Sequence, residues 1–223
     1  MAMTSNPDIV GSYAVGTRRE FYSAMRTELD RSGTRMVRTL QTFGFAPQSF
    51  VLTISSTPEV IQFAPFEAAV QQLGLFGINA DDSPFDAGRV ESISRQFNPA
   101  GMMGVSAQTL EGLKMMGHDP ETVFRGRVIW ARPDAWQAVS RMDGVTARRC
   151  LLIGPALGFG CEQGEVHLDR WEWDIRSEQG ELVLSSRLNR FEPVSGLRTG
   201  VMGALSGAAC SCGNADTVVE IHD

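Results

Sequence analysis

Alternation is clearest in the segment 164–175, GEVHLDRWEWDI, where Glu165, His167, Asp169, Trp171, Trp173 and Ile175 fall on every second residue. In a β-strand these six side chains share one face. Residues 181–191 supply a partner run, and a turn centred on SEQG sets Ile175 opposite Leu182, Trp173 opposite Leu184 and His167 opposite Arg190. The predicted hairpin therefore has a tryptophan and leucine floor that gives way to an ionisable end. A bulge near Arg170 would swap the faces and turn His167 to solvent, and of the two arrangements this is the more ordinary one.

Upstream, the apolar positions change to helical spacing. Thr17 and Glu20 have the separation of a capping box, which predicts a helix starting there with Phe21, Met25 and Leu29 on one stripe. Gly33 interrupts it, and Met36, Leu40 and Phe43 resume it as far as Gly44. Phe50 to Ile54 reads as a strand feeding a helix capped by Thr57, opened by Pro58 and bent at Pro65. Residues 79–88 read as turn and loop. A short helix capped by Ser106, another opened at Asp119, a strand at RVIWAR, a helix at Pro133 and a strand at RRCLLIG follow. Residues 216–222 form a closing strand.

Strands that run consecutively as hairpins favour an α+β fold over a doubly wound parallel one. The expected architecture is a mainly antiparallel sheet in the C-terminal half, packed by N-terminal and central helices. Residues 1–223 are taken as a single compact domain, with a helical N-terminal subdomain over 15–78 and a break at 79–104.

Composition narrows the function classes. The 223 residues are 43% hydrophobic and 21% charged, as in ordinary globular proteins. A net charge of −6 with scattered basic residues argues against nucleic acid as a partner. No apolar run is long enough to span a membrane, and the N-terminus lacks a secretory pattern, so the expected location is the cytoplasm, with no membrane partner. Lys114 is the sole lysine, a bias attributed to a GC-rich bacterial genome.

Candidate chemistry centres on the hairpin. Asp169 or Glu165 orienting His167 would make a general acid/base pair, the catalytic candidates, or a three-ligand metal site on one strand. Trp171, Trp173 and Arg190 are the ligand-binding candidates. Gly154, Gly158 and Gly160 follow a strand without a dinucleotide or P-loop spacing and read as a hairpin bend. Cys150, Cys161, Cys210 and Cys212 lack the paired knuckles of structural zinc, so they are expected as free thiols, with no metal and with a fold that survives chelation. No cofactor is identifiable. The expected function is a protein that binds a small organic ligand over the tryptophans, with the His/carboxylate pair making it a small enzyme. The rival is an accessory or assembly protein that uses the same tryptophans to bind another protein or a second copy of itself, as a homo-oligomer.

Overall fold

The computed structural model describes residues 6–222. It begins with an antiparallel hairpin, β1 (Ile9–Val15) and β2 (Arg18–Ala24), followed by helix α1 (Arg26–Leu40). The helix expected at Thr17 is thus a strand. Gly16, at φ 56°, turns the chain tightly, and alternate residues Tyr22 and Ala24 enter a small core with Tyr13, Leu29 and Ile61. Burial of that face overrides the capping-box pattern. Gly33 does not interrupt α1 either. It lets α1 lie against α2 (Val60–Gln72) so closely that a Cβ there would stand 2.8 Å from the Pro65 carbonyl oxygen.

Strands β3 (Phe50–Ile54), β4 (Phe76–Ala80), β5 (Gly101–Val105), β6 (Val128–Ala131) and β7 (Thr146–Ile153) lie side by side in the order β4-β3-β5-β6-β7, all parallel. The connections run through α2, α3 (Ala87–Phe97), the pair α4 (Ala107–Met115) and α5 (Pro120–Phe124), and α6 (Pro133–Val139). On one face Val51, Met103 and Trp130 pack with Phe63 and Phe66 of α2. On the other, Leu52, Met102 and Ile129 pack with Val90, Leu110, Leu113 and Ala135 from α3, α4 and α6. Because both faces are covered, the central strands β3, β5 and β6 are apolar at nearly every position, which hides the period of two.

From β7 onward the same sheet turns antiparallel, through β8 (Ala156–Gly160), β9 (Val166–Leu168), β13 (Thr217–Ile221), β12 (Leu197–Leu205), β11 (Glu181–Ser186) and β10 (Trp173–Glu178). The result is a mixed α/β architecture whose eleven-stranded sheet is mostly antiparallel. The expectation of an antiparallel C-terminal half agrees with it, while the parallel half was not foreseen. Residues 79–104, read as a break, hold the end of β4, all of α3 and most of β5.

The expected long strand 164–176 is two strands in different parts of the sheet. Asp169 ends the first: its Oδ1 accepts from the backbone N–H groups of Trp171 (2.8 Å) and Glu172 (3.4 Å), a local turn that competes with the ladder. The β10–β11 hairpin also has a different register, with Ile175 opposite Leu184 and Trp173 opposite Ser186. Gln179 (φ 54°) and Gly180 (φ 82°) make a two-residue loop with both residues left-handed, the preferred hairpin geometry. The slip of two residues keeps Trp173 and Ile175 on one face.

Trp130 is the hub of the aromatic core. Its ring meets Phe43, Phe45, Phe66 and Phe159 at centroid distances of 4.9–6.3 Å, and its Nε1 donates to the Gly160 carbonyl at 2.8 Å. Trp130→Ala is expected to cost about 3–5 kcal/mol, because it opens a cavity and strands a buried carbonyl. A denaturant midpoint within error of wild type would contradict that role.

Candidate metal centre and the switch-point crevice

The chain crosses itself where the β8–β9 turn meets the long β12–β13 loop. Cys161 leaves β8 into a tight turn, with its N–H bonded to the Glu165 carbonyl at 2.9 Å and its own carbonyl accepting from Gly164 at 2.9 Å. His167 sits on β9, paired with Phe159 and Val218 on the flanking strands. The loop between β12 and β13 folds back over this hairpin and brings Cys210 and Cys212 to it. Asn214 anchors the loop by donating to Thr39 Oγ1 of α1 at 2.8 Å and accepting from the Asp216 N–H at 3.0 Å.

The Sγ atoms of Cys161, Cys210 and Cys212 and a ring nitrogen of His167 all lie within 4.8 Å of one another. Cys161 and Cys210 sulfurs are 3.7 Å apart, and Cys212 Sγ is 3.4 Å from His167 Nε2. Zinc at about 2.3 Å from sulfur and about 2.0 Å from nitrogen, in a tetrahedron, separates its ligands by roughly 3.8 Å for sulfur pairs and roughly 3.5 Å for sulfur and nitrogen. The two distances match those edges. A disulfide would need about 2.05 Å. Backbone N–H groups of Cys212 and Asn214 point at Cys210 Sγ (3.5 Å) and Cys212 Sγ (3.4 Å), a donor arrangement that favours thiolates. Burial pushes the Cys161 thiol up to about 12 and also raises Cys212. His167 is 3% exposed, and burial lowers its pKa against the opposing pull of Asp216 and Glu165.

Cys150, the remaining cysteine, is buried in the core with Trp130 and Phe159, and burial raises it to about 12. Spacing along the chain groups all four cysteines. The cluster uses three, and its fourth member is the histidine read as a base. A Cys-x5-His separation across a turn, together with Cys-x-Cys, was the signal available.

The other residues singled out go elsewhere. Glu165 is exposed in the turn beside the β12–β13 loop. Asp169, Trp173 and Arg190 line a cavity of about 20 Å³, room for water but not for an organic molecule. Burial raises Asp169 to about 6, against hydrogen bonds from the Trp171 and Glu172 N–H groups. Arg190 lies 3.9 Å over the Trp173 ring and donates to Glu172 at 2.7 Å, and Arg31 donates to the same carboxylate at 2.9 Å. Trp171 is 47% exposed and Trp173 5%, so the two rings do not form a common floor. His167 thus joins the cysteines, while Asp169 lines the small cavity with Trp173 and Arg190.

A second constellation lies at the carboxyl ends of the parallel strands. After β3 the chain departs to α2 on one face of the sheet, and after β5 it departs to α4 on the other, so a crevice separates the ends of these two neighbours. Arg132, just after β6, fills it. Its Nε donates to the Gly104 carbonyl (3.0 Å) and its Nη2 to the Ile54 carbonyl (3.4 Å), while both terminal nitrogens clasp Glu59 at 2.8 Å. Asp82 stands 3.4 Å away and accepts from the Ser106 hydroxyl. Glu59 belongs to a capping box with Ser56, one residue before the expected Thr57 cap. Burial alone would raise Glu59, but the paired bonds and charge of Arg132 outweigh it and hold the carboxyl below its ordinary 4.5. Asp82 is raised, mainly by burial.

Beside this crevice, on the β4 side, opens a cleft of about 400 Å³. Val60, Phe63, Ala64 and Glu67 of α2 form one wall, the hydroxyls of Ser55, Ser56 and Thr57 another, and Asn79, Asp81, Asp86 and Arg89 the rest.

No family model matches this sequence, and no curated protein does. Solved structures do match in shape. A 2-hydroxyisobutyryl-CoA ligase, in an open conformation with 2-HIB-AMP and CoA, superposes with a TM-score of 0.72 at 14% identity, over 98% of this chain and 56% of its own. The fold is shared with acyl-CoA ligases. An amide bond synthetase from Marinactinospora thermotolerans (TM-score 0.56, 15% identity) and the o-succinylbenzoate CoA synthetase of Bacillus subtilis (0.54, 12%) each align with 98% of this chain. This chain covers 48% of the synthetase from Marinactinospora and 49% of the one from Bacillus, so it spans about half the length of these structures. Among the described residues, no helix is long and apolar enough to cross a membrane.

Proposed function

We propose that this chain is a zinc-stapled, small-molecule-binding domain built on the acyl-CoA ligase fold. The observation that carries the zinc is the gathering of Cys161, His167, Cys210 and Cys212 within 4.8 Å, with two of the pairs at the edge lengths of a zinc tetrahedron. Three thiolates and one imidazole leave no open position on a four-coordinate ion, so the centre is structural. It clamps the β12–β13 loop onto the β8–β9 turn. In this reading His167 is a metal ligand, not the base of a His/carboxylate pair, and the expectation of a metal-free protein is set aside.

The ligand-binding half of the reading is supported by the cleft at the carboxyl ends of parallel strands, where open α/β sheets hold their ligands. The 2-hydroxyisobutyryl-CoA ligase of this fold is a complex with 2-HIB-AMP and CoA, which supports a small-molecule-binding reading. We assign no reaction, and we take the chain as one cytoplasmic folding unit. The rival assembly reading rests on Trp171, whose ring lies under Arg35 and Arg170 at 5.4 and 5.2 Å.

Elemental analysis tests the metal. Protein purified without added zinc is expected to carry about one zinc per chain, and His167→Ala to carry well under half of that. Wild-type protein with less than a tenth of an equivalent after growth in zinc would remove the centre from the proposal.

A further inference from the structure

The chemistry of the cleft beside β4 differs from what the ligase structures carry. We infer that this cleft takes a small organic amine, an apolar body ending in an ammonium group, and not a nucleotide or carboxylate. The inference deepens the ligand-binding reading above and rests on it.

Three observations carry it. First, the inner crevice between β3 and β5 is already occupied: Arg132 is bonded to the terminal carbonyls of both strands and clasped by Glu59, so a ligand cannot pass deeper than the outer cleft. Second, the α2 wall is a single helical stripe, Val60, Phe63, Ala64 and Glu67, which is apolar for three positions and then ends in a carboxylate. A molecule lying along it meets hydrocarbon first and a negative charge last. Glu67 is partly desolvated, its pKa is raised by burial, and the hydrogen bond it accepts comes from the neutral amide of Asn79 at 2.9 Å.

Third, the balance of charge around the opening is negative. Among the described residues that line the cleft, Glu67 from α2, Asp81 just after β4 and Asp86 before α3 outnumber the one cation, Arg89. Asp86 already uses one oxygen to accept from the Asp81 N–H at 2.7 Å, which holds the two acidic residues together at the rim. An ammonium gains from this field and offers donors that carboxylates and the serine and threonine hydroxyls accept. A phosphate or carboxylate would be repelled by the same groups.

The test is calorimetric titration of the zinc-loaded protein with benzylamine, benzoate, AMP and coenzyme A, at low and high salt. Benzylamine is expected to bind at least tenfold more tightly than benzoate, and to weaken as salt rises. Glu67→Gln and Asp81→Asn should each weaken benzylamine several-fold without lowering the Tm, since neither carboxylate supports the core. Stronger binding of benzoate, AMP or coenzyme A would overturn the amine assignment while leaving a ligand-binding domain. Amine binding untouched by both substitutions would overturn the location. No binding by any of the four probes would overturn the ligand-binding reading itself.

Discussion

Stripping the zinc with a strong chelator under reducing conditions is expected to lower the Tm by about 10 °C while leaving a folded remnant. Structural zinc supplies about 10–16 kcal/mol in peptides that have no other core. Here three larger apolar clusters stand without it, including the one built from Leu151, Ile153, Trp173 and Leu184 under the antiparallel strands. What the proposed metal would hold is the loop between Ser206 and Asp216, against the β8–β9 turn. Release of that loop removes three ladder contacts between β13 and β9 from their support, and returns Cys161 and His167, both buried, to water. A loss of about 3 kcal/mol moves the midpoint of a chain this size by about 10 °C. Cys210→Ser and Cys212→Ser should reproduce the shift without chelator, whereas Cys150→Ala, in the core and away from the cluster, should keep its zinc. An unchanged thermal transition after metal removal, or equal zinc loss in Cys150→Ala and Cys210→Ser, would refute the assignment of ligands.

The Arg132 clasp should be nearly as consequential. Arg132→Ala leaves Glu59 and Asp82 as two buried carboxylates without their cation, and strips the Gly104 and Ile54 carbonyls of a donor. Removing one partner of a buried pair costs about 3–5 kcal/mol. The double variant Arg132→Met with Glu59→Gln should recover part of the loss, because it removes both charges together. The pH dependence has a definite sign. Glu59 has a lower pKa in the folded chain than in the unfolded chain, so its stabilisation is fully present above about 4.5 and is lost as pH falls through the lower folded value. Arg132→Ala should lack that acid-sensitive component. The measurement is urea unfolding across pH 3 to 7 for the wild type and both variants. A single variant within 1 kcal/mol of wild type at pH 7 would show that the clasp is not what closes the crevice.

Local pattern decided much of this protein. Phe50 to Ile54, the Ser106 and Asp119 caps, the Pro133 helix start and the strand ending at Ile153 follow from propensity, capping chemistry and hydrophobic runs within a few residues. The face of Trp173 and Ile175 was legible for the same reason: a register error of two residues cannot turn a side chain over. Where the sequence misled, a distant surface had overruled a local signal. Thr17 and Glu20 have the spacing of a cap, but Tyr22 and Ala24 gain more by alternating into a core with Leu29 and Ile61.

The site belonged to the tertiary structure almost entirely. Strand alternation put Glu165, His167 and Asp169 on one face, and the turn at Asp169 sends the residues that follow to β10 at the edge of the sheet. Nothing near Cys161 in the chain announces that Cys210 will return to within 3.7 Å of it, because that meeting depends on β13 inserting between β9 and β12. Likewise Glu59, Asp82 and Arg132 follow three different parallel strands, and only the order β4-β3-β5-β6 brings the ends of those strands together. Residue type and spacing fix which groups are available and which short segments form. Which of them meet is set by strand order, which follows from how the whole apolar surface is buried at once.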